Sequence, residues 1–421
     1  MASMLDHLSK SFPVAAAPCA TEDIGQRQWH VLEDVMPYPL ATLRTPALTH
    51  NLAWMQAWAK RKGVGLAPHG KTTLSPELFR MQLQAGAWGM TVANVHQLQL
   101  ALEVGAQRCI IANQVLADAD LDGLDALLTR HAGVRAWFLV DSLAQLAMIE
   151  DWAQRRGTQR CFDVLLELGM EGFRTGCRSH DEALGLARAL VASPVARLCG
   201  LECFEGGLLQ CDSVHDSALV SALVRRVRSV AQALDAEALW QDEQVLITAG
   251  GSAVFDLVIP LLTGHALRCP VQGVLRSGCY LTHDHGNYTR FLQLIEQREG
   301  LQSSLQPALE VWAMVQSVPE PGLAVLSAGR RDVSYDQRMP MPVRWAARGS
   351  PSIEATPAHW QVQALSDQHA HMRFDPQGPA PQVGDRIALG ISHPCTTFDK
   401  WRWMALVDDE ARITGAISTR F

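Results

Sequence analysis

Residues 67–72 read APHGKT, and Lys71 within them is the side chain best suited to carbonyl chemistry. At the C-terminal end of a parallel strand this lysine is expected to be buried beside a barrel axis, where desolvation favours the free amine that condenses with an aldehyde. In an ordinary surface loop it would be a solvated cation. Two glycine-bearing runs face the same question. Gly250, Gly251 and Ser252 read as a turn leading into a helix, and Arg276 to Tyr280 read RSGCY, with Gly278 and Cys279 at its centre. Glycines let backbone N–H groups approach a phosphate, and loops after the seventh and eighth strands are where barrels commonly hold one. A phosphate opposite Lys71 implies a phosphorylated aldehyde, for which pyridoxal 5'-phosphate is the economical choice. In ELGMEGFRTG (167–176), Arg174 offers a cation to that ring or to a substrate, although loop arginines are usually solvated.

The run SHPCTTFDKWR (392–402) places His393 and Cys395 two residues apart, so in an extended segment both side chains face one way. Imidazole with thiolate favours zinc (Zn2+), and two protein ligands leave positions open for water or substrate. The same pair also arises from an unrelated histidine and a packed cysteine. Cys109, Cys161 and Cys199 fall in apolar runs and are assigned to core packing.

Positioning these groups requires a repeating scaffold. Eight candidate strands, 64–67, 88–93, 109–113, 135–140, 161–167, 197–203, 245–249 and 271–275, alternate with amphipathic segments, which predicts an α/β fold with a TIM-type (β/α)8 barrel. The segment 76–85 shows the helix grammar clearly, with Ser75 as N-cap, Pro76 at the first position and Gly86 as stop. Beyond residue 292 prolines multiply and strands such as 309–318 and 385–391 follow without helices. The expected division is an N-terminal segment 1–45 that adds a strand to the last domain, a cofactor-binding barrel 46–291, and a C-terminal β-rich domain 292–421 carrying the metal ligands.

With 421 residues, 48% of them hydrophobic and 19% charged, the chain can bury a large core, which excludes a disordered or fibrous protein. A net charge of −7 argues against nucleic acid or an anionic membrane as partner. Ten scattered cysteines fit a reducing compartment. Asp6, His7 and Lys10 interrupt the N-terminal region and no long apolar run follows, so a cytoplasmic location is expected.

Together APHGKT with its following SPEL, ELGMEGFRTG, the GGS and RSGCY loops, and above all SHPCTTFDKWR, resemble the D-serine dehydratase and D-threonine aldolase family, of the alanine-racemase-like (fold type III) enzymes. The resemblance runs from about Thr45 to Trp403. It implies Lys71 as the Schiff-base lysine, Gly251, Ser252, Gly278 and Cys279 around the phosphate, His393 and Cys395 on zinc, and a homodimer. Where the family more often has arginine, this chain has Ala67; where it has His-Lys, Thr73 and Leu74 stand; and FEGG (204–207) replaces a Tyr-Glu-Gly-His-like run. These departures bear on the substrate. The implied activity is a dehydratase (ammonia-lyase) for small 3-hydroxy D-amino acids such as D-serine or D-threonine. Its rival is D-threonine aldolase-type retro-aldol cleavage, in which an aspartate is commoner than Cys395. A noncatalytic pyridoxal-phosphate-binding protein leaves residues 292–421 without a role, and a metal hydrolase leaves Lys71 and the GGS loop without one.

Overall fold

Eight short apolar runs become one closed parallel sheet in a computed structural model, which describes residues 3–421. The strands are Gly65–Leu66, Met90–Val92, Arg108–Gln114, Arg135–Val140, Phe162–Leu168, Ala196–Cys203, Val245–Ala249 and Val271–Leu275. Consecutive strands from the second to the eighth pair side by side, and the eighth returns to the first through Val274 opposite Gly65. Closure between first and second rests on less: a single bridge of His69 with Thr91, Trp88 N–H donating to Leu66 O at 2.7 Å, and Thr91 donating N–H to Pro68 O (2.9 Å) and Oγ1–H to Ala67 O (2.7 Å).

Alternation along each strand sends one set of side chains inward. Ala67, Ile110, Trp137, Leu139, Leu165, Cys199, Leu246 and Val274 fill the interior, with Trp88 stacked on Trp137 at 5.6 Å between centroids. At the N-terminal end Arg135 bridges Asp163 and Asp242, both at 2.6 Å. That end is sealed by ion pairs, which leaves the C-terminal end for chemistry. Helix Pro76–Gln84 begins as its sequence predicts, the Ser75 hydroxyl accepting from Leu78 N–H. Cys109 and Cys199 are buried, but Cys161 is exposed. The fifth strand starts one residue later than its apolar run, at Phe162, so Cys161 ends the preceding loop and leaves the core list.

The last part of the chain forms an antiparallel sheet around the long strand Leu309–Glu320, which pairs with Arg386–Gly390 on one side and with Leu40–Arg44 on the other. Leu40–Arg44 also pairs in parallel with Trp403–Val407 and runs directly into the barrel helix Thr45–Lys62. From that helix the buried Asn51 amide donates to Leu281 O (2.9 Å) and Gln306 O (2.7 Å) and accepts from Gln306 N–H (2.8 Å), tying barrel to sheet where backbone groups would otherwise lack partners.

Close strand packing sets a stability test. A Cβ on Gly200 would lie 1.8 Å from Leu246 O in the next strand, whereas one on Gly185, inside helix His180–Ala192, meets nothing within 4 Å. Gly200→Ala is expected to destabilise the protein by about 3 kcal/mol through overpacking. Gly185→Ala is expected to stabilise it by about 0.5 to 1 kcal/mol through helix propensity. Urea unfolding midpoints of the two variants check both signs.

Candidate active site

The barrel seam delivers Lys71. After the first strand the chain turns through Gly70–Thr72, and the His69 ring nitrogen Nδ1 accepts a long bond, 3.5 Å, from Lys71 N–H. Burial pulls the His69 imidazole well below its usual range, and the positive charges of Lys71, Arg276 and Arg174 push it further the same way. A neutral ring is the form that can accept that N–H. Lys71 itself is exposed rather than buried, because the turn carries it past the strand end to the wall of a cavity.

Two connected spaces meet there: an inner one of about 120 Å³ and an outer one of about 700 Å³, with Lys71, Arg174, Phe204, Ser252 and His393 on the walls of both. Gly250, Gly251, Ser252, Gly278, Cys279 and Cys395 all line the inner space, so every residue singled out in the sequence borders it. Their local roles differ from the expectation. Gly250 and Gly251 do not lead into a helix; turns run on to a single turn, Ile259–Leu262. Their N–H groups are already taken by the buried Glu205 carboxylate, at 3.3 Å and 2.7 Å. The Ser252 hydroxyl accepts from Cys279 N–H at 3.0 Å and, with Gly278, lines the inner space. A Cβ on Gly278 would lie 2.5 Å from His69 O and 2.9 Å from Thr72 Oγ1, which leaves room there for glycine alone.

Sequence reasoning missed the buried carboxylates beside the site. Glu202 ends the sixth strand fully buried and is ion-paired with buried Arg276, which also donates to Cys203 O at 2.9 Å. Burial raises both Glu202 and Glu205, and pushes Glu167, at the end of the fifth strand, up to about 7. Glu167 accepts from Gln114 (2.5 Å) and Thr175 (2.7 Å). The signal was present as a glutamate one position before the end of each of these two strands. Arg276 Nε has no partner, an unmatched buried donor on the inner space. Arg174 lies over the Phe204 ring, 4.5 Å from its centroid, so the phenylalanine of FEGG serves as a platform for that guanidinium. Of the other departures, Ala67 faces the barrel interior and Leu74 is buried. An amine, a free guanidinium N–H, a hydroxyl and a glycine-backed loop fit a phosphorylated pyridine aldehyde.

His393 and Cys395 also meet this space, but not from a strand. Pro394 carries helical backbone angles and starts the single turn Cys395–Phe398, so the two side chains converge by a turn and not by strand alternation. Asp336, another residue the sequence left unmarked, binds His393 Nδ1 at 2.5 Å and Thr396 Oγ1 at 2.7 Å, and Ser334 Oγ accepts from His393 N–H at 3.1 Å. Burial lowers the imidazole, yet its bonds to Cys395 and Asp336 prevail and hold it at about 9. Cys395 is held well below the usual thiol range, first by the hydrogen bond from Cys279 and then by His393. The Cys279 and Cys395 sulfurs are 3.7 Å apart. Two thiolates on one tetrahedral zinc at about 2.3 Å would be about 3.8 Å apart. Among the described residues no three His, Cys, Asp or Glu side chains form a closed metal group. The donor types fit zinc, with two or three ligands in reach and the imidazole oriented by a carboxylate.

The chain matches the model for the alanine racemase N-terminal domain over residues 43–291 and that for a serine dehydratase domain over 308–407. It is 29% identical to a D-threonine aldolase from Arthrobacter sp over 382 residues, 88% of this chain and 91% of that one. It is 28% identical to a D-threo-3-hydroxyaspartate dehydratase from Delftia sp. (strain HT23) over 312 residues, 71% and 74% of the two chains. The solved D-threonine aldolase from Filomicrobium marinum superposes with a TM-score of 0.78 at 23% identity, covering 91% of this chain and 95% of that one. A D-threo-3-hydroxyaspartate dehydratase has been solved as a histidine-to-alanine mutant and as a cysteine-to-alanine mutant two positions further on, the latter in the metal-free form; each superposes with a TM-score of 0.70 at 21% identity, covering 94% and 93% of this chain and 97% and 99% of theirs.

The buried pair at the cavity base yields a prediction. Arg276→Gln leaves Glu202 buried without its cation and should cost about 3 kcal/mol. Adding Glu202→Gln should recover most of that loss, because the uncompensated charge is then gone. Denaturant unfolding of the two single variants and the double variant measures the coupling.

Proposed function

The chain belongs to the family of the alanine racemase N-terminal domain, whose members here are pyridoxal-phosphate-dependent lyases, and from that membership we propose a zinc-dependent dehydratase that converts small 3-hydroxy D-amino acids, such as D-serine or D-threonine, to a 2-keto acid and ammonia. The observation that carries this reading is one cavity bordered by Lys71, Ser252, Gly278 and Arg276 on the barrel side and by His393 and Cys395 on the other.

Pyridoxal phosphate bound there supplies an electron sink conjugated to the substrate's α-carbon. Lys71 would hold it through the side-chain amine and, once the substrate amine takes that place, is free to accept the α-proton. Arg276, ion-paired with Glu202, would offer its unpartnered Nε–H to the ring nitrogen. Ser252 and the Gly278 backbone would hold the phosphate, and Arg174 adds a cation over Phe204. His393 and Cys395 would hold zinc, whose Lewis acidity is the chemistry available to a β-hydroxyl oxygen. Loss of the α-proton and of hydroxide leaves an enamine, which hydrolyses to the keto acid and ammonia.

Cys395, at the spacing of the histidine and cysteine replaced in the solved dehydratase variants, supports the dehydratase. The similarity to two D-threonine aldolases favours retro-aldol cleavage as the second reading. A panel of D- and L-3-hydroxy amino acids, scored separately for ammonia with keto acid and for glycine with aldehyde, decides between them. A homodimer that brings barrel mouth and β-domain together, and a cytoplasmic location, complete the proposal. Among the described residues no helix is long and apolar enough to cross a membrane.

Purified protein is expected to show a near-visible absorbance band from the lysine-linked cofactor. Lys71→Ala should abolish the band and turnover together; a borohydride-reducible adduct surviving in that variant would overturn the lysine's role. Chelation should stop elimination while leaving the band in place, and zinc should restore turnover. Cys395→Ala should lower metal content and activity in parallel. Full activity in a preparation shown metal-free by elemental analysis would remove zinc from the reaction.

A further inference from the structure

Cys279 is a buried cysteine with polar surroundings. Its sulfur lies 3.7 Å from that of Cys395 and 3.6 Å from Thr72 Oγ1, and the same Thr72 oxygen is 3.5 Å from Cys395 Sγ. Cys109, also buried, shows the ordinary alternative, packed among apolar side chains of the barrel core. Thr72, Cys279 and Cys395 all border the inner space beside Lys71. The main chain holds the Cys279 sulfur there from both sides. Cys279 N–H donates to Ser252 Oγ at 3.0 Å, and its carbonyl accepts from His283 N–H at 2.7 Å. A backbone tied in this way presents its side chain in one position, as a metal ligand requires.

His393 and Cys395 reach the same point from the C-terminal domain, the imidazole bonded to Cys395 and oriented through Nδ1 by Asp336. With Zn–S bonds of about 2.3 Å, two thiolates on a tetrahedral zinc are about 3.8 Å apart, so these sulfurs already stand at ligand spacing. Among the described residues the three side chains do not yet form a closed group, and the adjustment that remains falls on the imidazole. We propose that Cys279 is a third protein ligand to the zinc, joining His393 and Cys395 in a set of two cysteines and one histidine. Three protein ligands with one position left open is the arrangement of catalytic zinc, and two cysteines with a histidine is one of the sets it uses. The second thiolate would tie the barrel to the C-terminal domain through one ion. Its softness would also set zinc ahead of magnesium or manganese.

The assignment rests on the zinc reading above, and the experiment separates the two. X-ray absorption at the zinc edge counts the sulfur neighbours of the metal in the cofactor- and zinc-loaded protein, kept under reductant so that the thiols stay free. Two sulfurs are expected in the wild type and one in Cys279→Ser, which keeps the backbone bond to Ser252. Equilibrium dialysis against graded chelator should show zinc held about 100-fold or more weaker in Cys279→Ser, beyond the roughly 10- to 100-fold that loss of an outer-shell partner costs. Asp336→Asn, which alters such a partner, should weaken zinc while keeping both sulfurs. The wild-type count needs no variant, so it decides the matter even where Cys279→Ser fails to fold. One sulfur in the wild type, two sulfurs persisting in Cys279→Ser, or unchanged zinc affinity in that variant overturns the proposal and leaves a lyase with zinc on His393 and Cys395 standing. A two-sulfur site in a protein that turns over no 3-hydroxy amino acid keeps the ligand and overturns the lyase reading. A loaded protein that retains no zinc overturns the metal reading and the ligand with it.

Discussion

Closure of the parallel barrel between its first and second strands is the constraint on which the site depends. Only two residues of the first strand pair regularly, so the ring is completed by a few bonds at 66–69 with Trp88 and Thr91. Those bonds fix the main chain immediately before Lys71. The same segment supplies His69 O and Thr72 Oγ1, against which Gly278 from the eighth strand packs without room for a side chain. The lysine and the phosphate-loop candidates are thus set by one seam. Their mutual position follows from backbone hydrogen bonds rather than from long flexible side chains.

A second layer of order is electrostatic. Glu167 and Glu202 near strand ends, and Glu205 just beyond one, are buried, and burial raises all three. Glu202 is compensated by Arg276 and Glu205 by the N–H groups of Gly250 and Gly251. The carboxylates are consumed inside, while the outer space keeps its guanidiniums unpaired. The His393 and Cys395 turn closes this space from the C-terminal sheet. Asp336, from the loop before Met341–Ala346, fixes the imidazole.

The alternation of apolar runs with helices, the (β/α)8 barrel with a β-rich domain after it, and membership of the alanine-racemase-like class could all be read from the chain. Regular periodicity and local caps such as Ser75 report on local structure, and a barrel is made of repeated local units. Residues 40–44 pair with strands of the C-terminal sheet. Cys161 was misplaced by a strand that starts one residue late, and three other misreadings concern how a segment turns. Lys71 was expected buried, yet a short turn lifts it to the cavity wall. The GGS run was expected to open a helix, yet turns follow it. His393 and Cys395 were paired by strand alternation, yet Pro394 bends them together. Backbone turns depend on contacts from distant strands, which no window of ten residues contains.

The sequence by itself determined which chemical groups the protein owns and the order of elements that present them, because residue types and hydrophobic period are local properties. Tertiary structure decided who is paired with whom. Glu205 rather than a phosphate holds the Gly250 and Gly251 N–H groups, and the Cys279 sulfur lies within 3.7 Å of that of Cys395 from 116 residues away. Arg298 has a carboxylate while Arg290 has none among the described residues. Pairing of this kind is a property of distances between segments remote in the chain. The strength and even the sign of each electrostatic effect depend on those distances and on burial, so they exist only once the barrel has closed.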